Sequence, residues 1–202
     1  MIDAAVIAAG YLLGSMPFGY WVVRATKGVD IRSVGSGNIG ASNVWRTYGK
    51  GYGLPIVVLD VAKGLVPALV GTAVGGELVG VLAGGAAMLG HWRPLFLGFQ
   101  RGGKTVATGG GTFLGVAPLL GAIGVGLWVL LFLASRYASV ASMGTGLLLP
   151  LVALLLGRPW PVVVFAAVAG IAVVVLHRAN IARLRAGTET RFRLRRTRAA
   201  TD

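Results

Sequence analysis

Long uncharged apolar stretches constrain this chain more than any other feature. A helix needs about 20 apolar residues to cross the hydrocarbon core of a bilayer, with about 17 as a practical lower limit. Residues 2–23, 52–73, 78–97, 143–157 and 159–177 are the clear candidates. Residues 2–23 have no basic stretch before the apolar run and no cleavage pattern after it, so they read as a span and not as a secretory signal. The interval 105–135 is apolar throughout, too long for one ordinary span, and interrupted by Gly109-Gly110-Gly111 and Pro118.

Charge decides how that interval is divided. The net charge is +13, and it is concentrated in two places. Residues 24–50 carry Arg24, Lys27, Arg32, Arg46 and Lys50, and eight arginines follow His177. Basic loops stay in the cytoplasm, so an even number of crossings must separate the two regions. One span over 105–135 gives an odd number. Two short spans of about 13 residues meeting near Pro118 give an even one, at the cost of local thinning of the bilayer. The expectation is therefore an all-α integral membrane protein with seven transmembrane helices, two of them short. Its N-terminus lies outside and its C-terminus in the cytoplasm. Residues 1–190 form the multi-span domain and 191–202 a basic tail. The tail reads as a positive-inside signal attracted to anionic membrane lipid and not as a nucleic-acid site.

The 33 glycines are about twice the usual share. Gly71-x3-Gly75, Gly80-x3-Gly84 and Gly111-x3-Gly115 have the spacing that lets helix backbones approach closely, and read as packing. With no cysteine, thiolate nucleophiles and Cys-ligated metals are excluded. The two histidines and six acids show no familiar ligand spacing, so neither a metal nor another cofactor is expected.

The predicted topology gathers three polar stretches on one side. The first is GSGNIGASNVWR, 35–46, far longer than the roughly four residues a turn requires. A glycine-rich backbone lets successive N–H groups converge on an anion, serine and asparagine add donors, and Arg46 can grip a phosphate with two prongs. The second is FQRGGKTVATGGG, 99–111. With Gly98 it matches the nucleotide-binding pattern G-x4-G-K-T literally. That pattern needs a buried strand before the loop, and here an apolar span precedes it, so only glycine backbone and Lys104 at the start of a short helix remain. The third is HRANIARLRAGTE, 177–189, where His177 and Asn180 share a helix face and Arg178, Arg183 and Arg185 point to water or lipid. Asp60 and Lys63, three apart inside a span, read as a mutually neutralising pair, and His91 as a capping or anchoring group.

Together the three stretches resemble the motifs of the bacterial acyl-phosphate–glycerol-3-phosphate acyltransferase family (PlsY). GSMPFGY at 14–20, DVAKG at 60–64 and LGHWRP at 89–94 are similar to its secondary landmarks, in the same order, over residues 10 to 190. The resemblance implies transfer of a fatty acyl group from acyl phosphate to the 1-hydroxyl of glycerol 3-phosphate. The products would be lysophosphatidic acid, for phospholipid synthesis, and phosphate. It places the enzyme in the bacterial inner membrane with its active site on the cytoplasmic side. The implied partners are both substrates, membrane lipid and, as a candidate, the enzyme that supplies acyl phosphate. Two positions depart from the family pattern: Thr105 where glycine is usual, and Ser42 where threonine is usual.

On this reading Ser36, Asn38, Arg46 and Lys104 bind phosphate groups, with Gly35, Gly37, Gly40, Ser42, Asn43, Gly102, Gly103 and Thr105 completing the loops. His177 and Asn180 position glycerol 3-phosphate, and Ser142 adds a contact from the same side. Acyl phosphate has a good leaving group, so holding two phosphates together and aiming one hydroxyl is most of the work. The hydroxyl proton has two candidate acceptors, His177 and a phosphate oxygen of a bound substrate, with the substrate preferred. A transporter for a phosphorylated metabolite is the alternative class. It would need a midplane site open to both sides, and the polar stretches cluster on one.

Overall fold

A computed structural model describes residues 1–192. Of the basic tail expected over 191–202, only Arg191 and Phe192 fall within it; the rest lies outside the described residues. Among the described residues the chain is helical with no strand. The α-helices are α1 (Ile2–Gly14), α2 (Phe18–Lys27), α3 (Ala41–Tyr48), α4 (Lys50–Trp92), α5 (Val106–Val116), α6 (Pro118–Ser135), α7 (Ala138–Leu155), α8 (Trp160–Leu176) and α9 (Arg178–Arg185). Four apolar stretches are long enough to cross a membrane: Ile2–Lys27, Lys50–Leu97, Pro118–Ser135 and Ala138–Leu155. The pair α8–α9, bent by 55°, makes a fifth. Leu119, Leu130, Leu154, Leu155 and Ile171 are exposed around the bundle, as lipid-facing side chains must be.

The breaks follow the residues that cannot continue a helix. Pro17 separates α1 from α2. Inside α4, Gly75 and Gly76 leave helical geometry, and Gly76 takes φ +71, a conformation that needs no Cβ. The chain then folds back on itself, with Gly71 against the backbone of Val79 and Gly80. Pro118 opens α6 at its first turn, where its missing N–H costs nothing. The division of 105–135 therefore falls at Ala117–Pro118, but the two pieces are unequal. α5 has 11 residues and α6 has 18, so only α5 is short, in place of two pieces of about 13. Continuous hydropathy across the joint hid that asymmetry.

Close backbone approach holds the centre together. A Cβ on Gly64 would overlap the carbonyl of Thr108, and one on Gly111 the carbonyl of Val61, so α5 lies directly against the first half of α4. Gly84 meets Thr112 from the second half. Of the three small-x3-small pairs, Gly80–Gly84 and Gly111–Gly115 pack helices, whereas Gly75 belongs to the turn. The apolar core joins Ala68 and Val81 of α4 with Phe113, Leu120, Leu149 and Val162 of α5 to α8.

A second cluster matters more for the site. Val23, Ile31, Ile39, Ala41, Val44 and Ile56 pack the polar segment 30–48 onto the ends of α2 and α4. Ile39, in the middle of GSGNIGASN, is 2% exposed, and Gly19 gives its carbonyl room. One buried isoleucine thus anchors a loop that is otherwise almost all glycine and polar residues.

Candidate active site

The first loop is shaped by an asparagine. Asn43, 1% exposed on α3, reaches back into the preceding turns. Its amide donates to the carbonyls of Val34 and Asn38, both at 3.0 Å, and its Oδ1 accepts the Ser36 N–H at 2.9 Å. Gly35 and Gly37 have φ +62 and +68, and a Cβ on Gly35 would overlap the Asn43 oxygen. Asn43 was expected to hold phosphate, but its polar atoms are engaged in templating the loop. Asn38 makes its own turn, accepting the Gly40 N–H at 2.8 Å, and its amide donates to Gly102 O at 3.4 Å. Arg32 supplies a second tie to the same neighbour, gripping Asp30 and donating to Gln100 Oε1 at 2.6 Å.

The second loop uses its glycines differently from the expectation. Gly102 and Gly103 are buried, and their N–H groups donate to Trp92 O and His91 O, each at 2.9 Å. Those amides are therefore not free for an anion. A Cβ on Gly103 would overlap the His91 ring, so glycine is required there by packing. Thr105 sits in the left-handed region at φ +63, where a β-branched residue is strained by about 1–2 kcal/mol. Glycine would adopt that geometry without strain. The Thr105 hydroxyl is buried without a partner among the described residues.

The third stretch closes the site. α8 ends at Leu176, and the 55° bend at His177 starts α9. Asn180, 4% exposed, accepts the Lys104 ammonium at 2.5 Å through Oδ1 and donates through Nδ2 to Glu189 Oε1 at 2.6 Å. Glu189 also accepts from Ser139 Oγ at 2.8 Å and from Arg183 Nε at 2.7 Å. These bonds hold its carboxyl below the usual range although burial opposes them. Arg183 thus turns inward and does not reach for lipid. Ser142 is spent elsewhere, donating to Ala138 O and accepting from Trp128, while Ser139, one turn earlier, bonds Glu189. Nδ1 of His177 lies 2.7 Å from Val173 O, which fixes that proton and leaves Nε2 as the acceptor.

These elements enclose a cavity of about 50 Å³ lined by Ser36, Gly37, Asn38, Arg101, Lys104, Ala179 and Arg183. Three of the seven are cationic, a lining whose charge suits an anion. Burial, followed by the charge of Arg183, lowers the Lys104 pKa to about 8. Of the expected ligands, Ser36, Gly37, Asn38 and Lys104 line the cavity, and Asn180 is bonded to Lys104. Gly35, Gly40, Ser42, Asn43, Gly102, Gly103, Thr105, Arg46, His177 and Ser142 do not line it. Arg46 instead has its guanidinium 5.3 Å from the Phe192 ring. Arg101, Glu189 and Ser139 were given no role by the sequence, and Arg183 was expected to face water or lipid. The one sequence signal was that Arg183 and Glu189 stand six residues apart, on either side of the end of α9 at Arg185.

A family model described as glycerol-3-phosphate acyltransferase matches residues 4–187. The glycerol-3-phosphate acyltransferase of Desulforudis audaxviator is 45% identical over 95% of this chain and 96% of its own. That of Roseiflexus sp. (strain RS-1) is 47% identical over 93% and 94%. The crystal structure of PlsY (YgiH), an integral membrane glycerol 3-phosphate acyltransferase, in its glycerol 3-phosphate form superposes with a TM-score of 0.91 at 40% identity, covering 96% of both chains. Its lysophosphatidic acid form gives 0.88 at 39%. The chain belongs to the glycerol-3-phosphate acyltransferase family, which sets the transporter alternative aside.

Lys104 is charged below about pH 8 and neutral above it, so anion binding should weaken as pH rises through that value. Titrating purified protein with sulfate, whose charge is constant between pH 7 and 9.5, should show about a tenfold loss of affinity. Lys104→Arg, which stays charged, should abolish the slope; an unchanged slope in that variant contradicts the assignment.

Proposed function

We propose that this glycerol-3-phosphate acyltransferase takes its acyl group from acyl phosphate and releases lysophosphatidic acid and inorganic phosphate. One observation carries the reading: three sequence-distant polar stretches line a single cationic cavity, the first tied to the second by Asn38 and Gly102, the second to the third by Lys104 and Asn180. Two phosphates brought to one site repel each other, and Lys104, Arg101 and Arg183 offset that repulsion. The 1-hydroxyl oxygen of glycerol 3-phosphate attacks the acyl carbonyl carbon. The anhydride C–O bond to phosphate breaks, and the electron pair leaves on phosphate. Cationic groups facing the site stabilise the tetrahedral intermediate and the departing anion.

The hydroxyl proton passes to a phosphate oxygen. His177 is 4% exposed, its Nδ1 is engaged by Val173 O, and it does not line the cavity. Its place at the hinge between α8 and α9 suits it to hold Asn180 in position. The small α5 leaves Lys104 near the membrane surface, so an acyl chain can lie along the bundle while its head meets a water-soluble acceptor.

The same reading counts seven crossings: α1–α2 as one bent span, the two halves of α4, and α5, α6, α7 and α8. The N-terminus then lies outside the cell membrane, and the cavity and C-terminus face the cytoplasm.

Two experiments test these statements. Purified protein given palmitoyl phosphate and glycerol 3-phosphate should release phosphate and form lysophosphatidic acid, with at least a hundredfold loss in Lys104→Ala. Turnover with palmitoyl-CoA and none with palmitoyl phosphate overturns the donor. For topology, the cysteine-free chain permits single reporters: Leu156→Cys should react with an impermeant maleimide in intact cells, and Ser33→Cys only after permeabilisation. The reverse pattern contradicts the orientation.

A further inference from the structure

The landmarks DVAKG and LGHWRP contribute nothing to the cavity wall, yet they bury three ionisable side chains beneath it. Asp60, Lys63 and His91 are 3%, 4% and 4% exposed. Removing an ion pair from water costs several kcal/mol per ion before its attraction is counted, so a buried pair calls for some purpose besides stability. Lys63 Nζ lies 2.8 Å from Asp60 Oδ1 and donates to Met16 O at 3.1 Å, at the break where Pro17 ends α1. On the other side, Asp60 Oδ1 is 3.8 Å from His91 Nδ1, which has no hydrogen-bond partner among the described residues.

The opposite edge of His91 is the floor of the second loop. Gly103 lies so close that a Cβ would overlap His91 Nε2, and the Gly103 N–H bonds to the carbonyl of the same histidine at 2.9 Å. Lys104 is the next residue, and its ammonium must meet Asn180 at one point. A ring pressed against Gly103 from below therefore limits where Lys104 can stand.

We propose that His91, held from behind by the Asp60–Lys63 pair, is a positioning residue that sets the seat of Lys104 in the anion cavity. It touches no substrate and acts through the Gly103 backbone. The inference rests on the reading of Lys104 as a phosphate ligand.

Glycerol 3-phosphate affinity tests it, measured by calorimetry on the full chain in detergent. Monodispersity and thermal unfolding serve as the check of folding. His91→Ala should weaken binding by about tenfold, since misplacement by about an ångström has effects of that order or larger. Asp60→Asn should do so by a smaller factor. His91→Gln, which keeps bulk but not the flat ring, should fall between, and replaces alanine if that variant does not fold. Because His91 acts through Lys104, adding His91→Ala to Lys104→Ala should change affinity by less than about twofold. A loss that multiplies in the double variant, or wild-type affinity in folded His91→Ala or His91→Gln, overturns the inference while the phosphate reading stands. Wild-type affinity in Lys104→Ala overturns both.

Discussion

The contact between Lys104 and Asn180 spans 76 residues of sequence and joins the parts that matter. A lysine within the field of Arg101, Arg183 and Arg46 is repelled by them, and burial already disfavours its charge. Asn180 resolves this by presenting an oxygen to the ammonium while its amide faces Glu189. A charged hydrogen bond of this kind contributes about 1.5–3 kcal/mol. Glu189 also gathers Ser139 of α7 and Arg183 of α9. One carboxylate thereby orients the amide, restrains an arginine and tempers the repulsion among four cations. The cavity is an assembly of like charges held near one another by one acid and Asn180.

Glycine does two kinds of work around that cavity. In the first loop, Gly35 and Gly37 adopt left-handed geometry, which leaves the amide of Ser36 to Asn43 and the cavity edge to Ser36, Gly37 and Asn38. In the second loop, Gly102 and Gly103 are absent side chains, allowing the strand of chain before Lys104 to lie against Trp92 and His91. The same residue type thus shapes the anion site from the front and supports it from behind. The strain at Thr105 belongs to this economy: the turn that carries Lys104 into place needs a positive φ immediately after it.

Hydropathy and charge made the broad architecture legible. The spans, the division at Pro118 and the gathering of three polar stretches follow from the length of apolar runs and the placement of arginines. What escaped sequence reasoning was the direction of particular polar atoms. Gly102 and Gly103 look like anion-binding amides until their partners, two main-chain carbonyls, are seen. Main-chain carbonyls leave no trace in sequence. Ser139 and Ser142 are three apart on one helix, so about 60° of rotation decides which faces Glu189. A span begun at 143 in place of Ala138 loses that distinction. Glu189 itself reads as one acid among many arginines, because its meaning depends on a fold-back that only the bend at His177 creates.

The convergence of the first and third stretches around one anion is the central claim, and the absence of native cysteine allows a direct measurement. Ser36 of the first stretch and Ala179 of the third both line the cavity. In membranes carrying Ser36→Cys and Ala179→Cys together, a short bifunctional thiol reagent should bridge the two sites within one chain. Glycerol 3-phosphate should slow that bridging in proportion to its occupancy. Failure to bridge, in protein whose single-cysteine variants each react with the reagent, would contradict the shared cavity, and bridging indifferent to glycerol 3-phosphate would contradict its role as the substrate site.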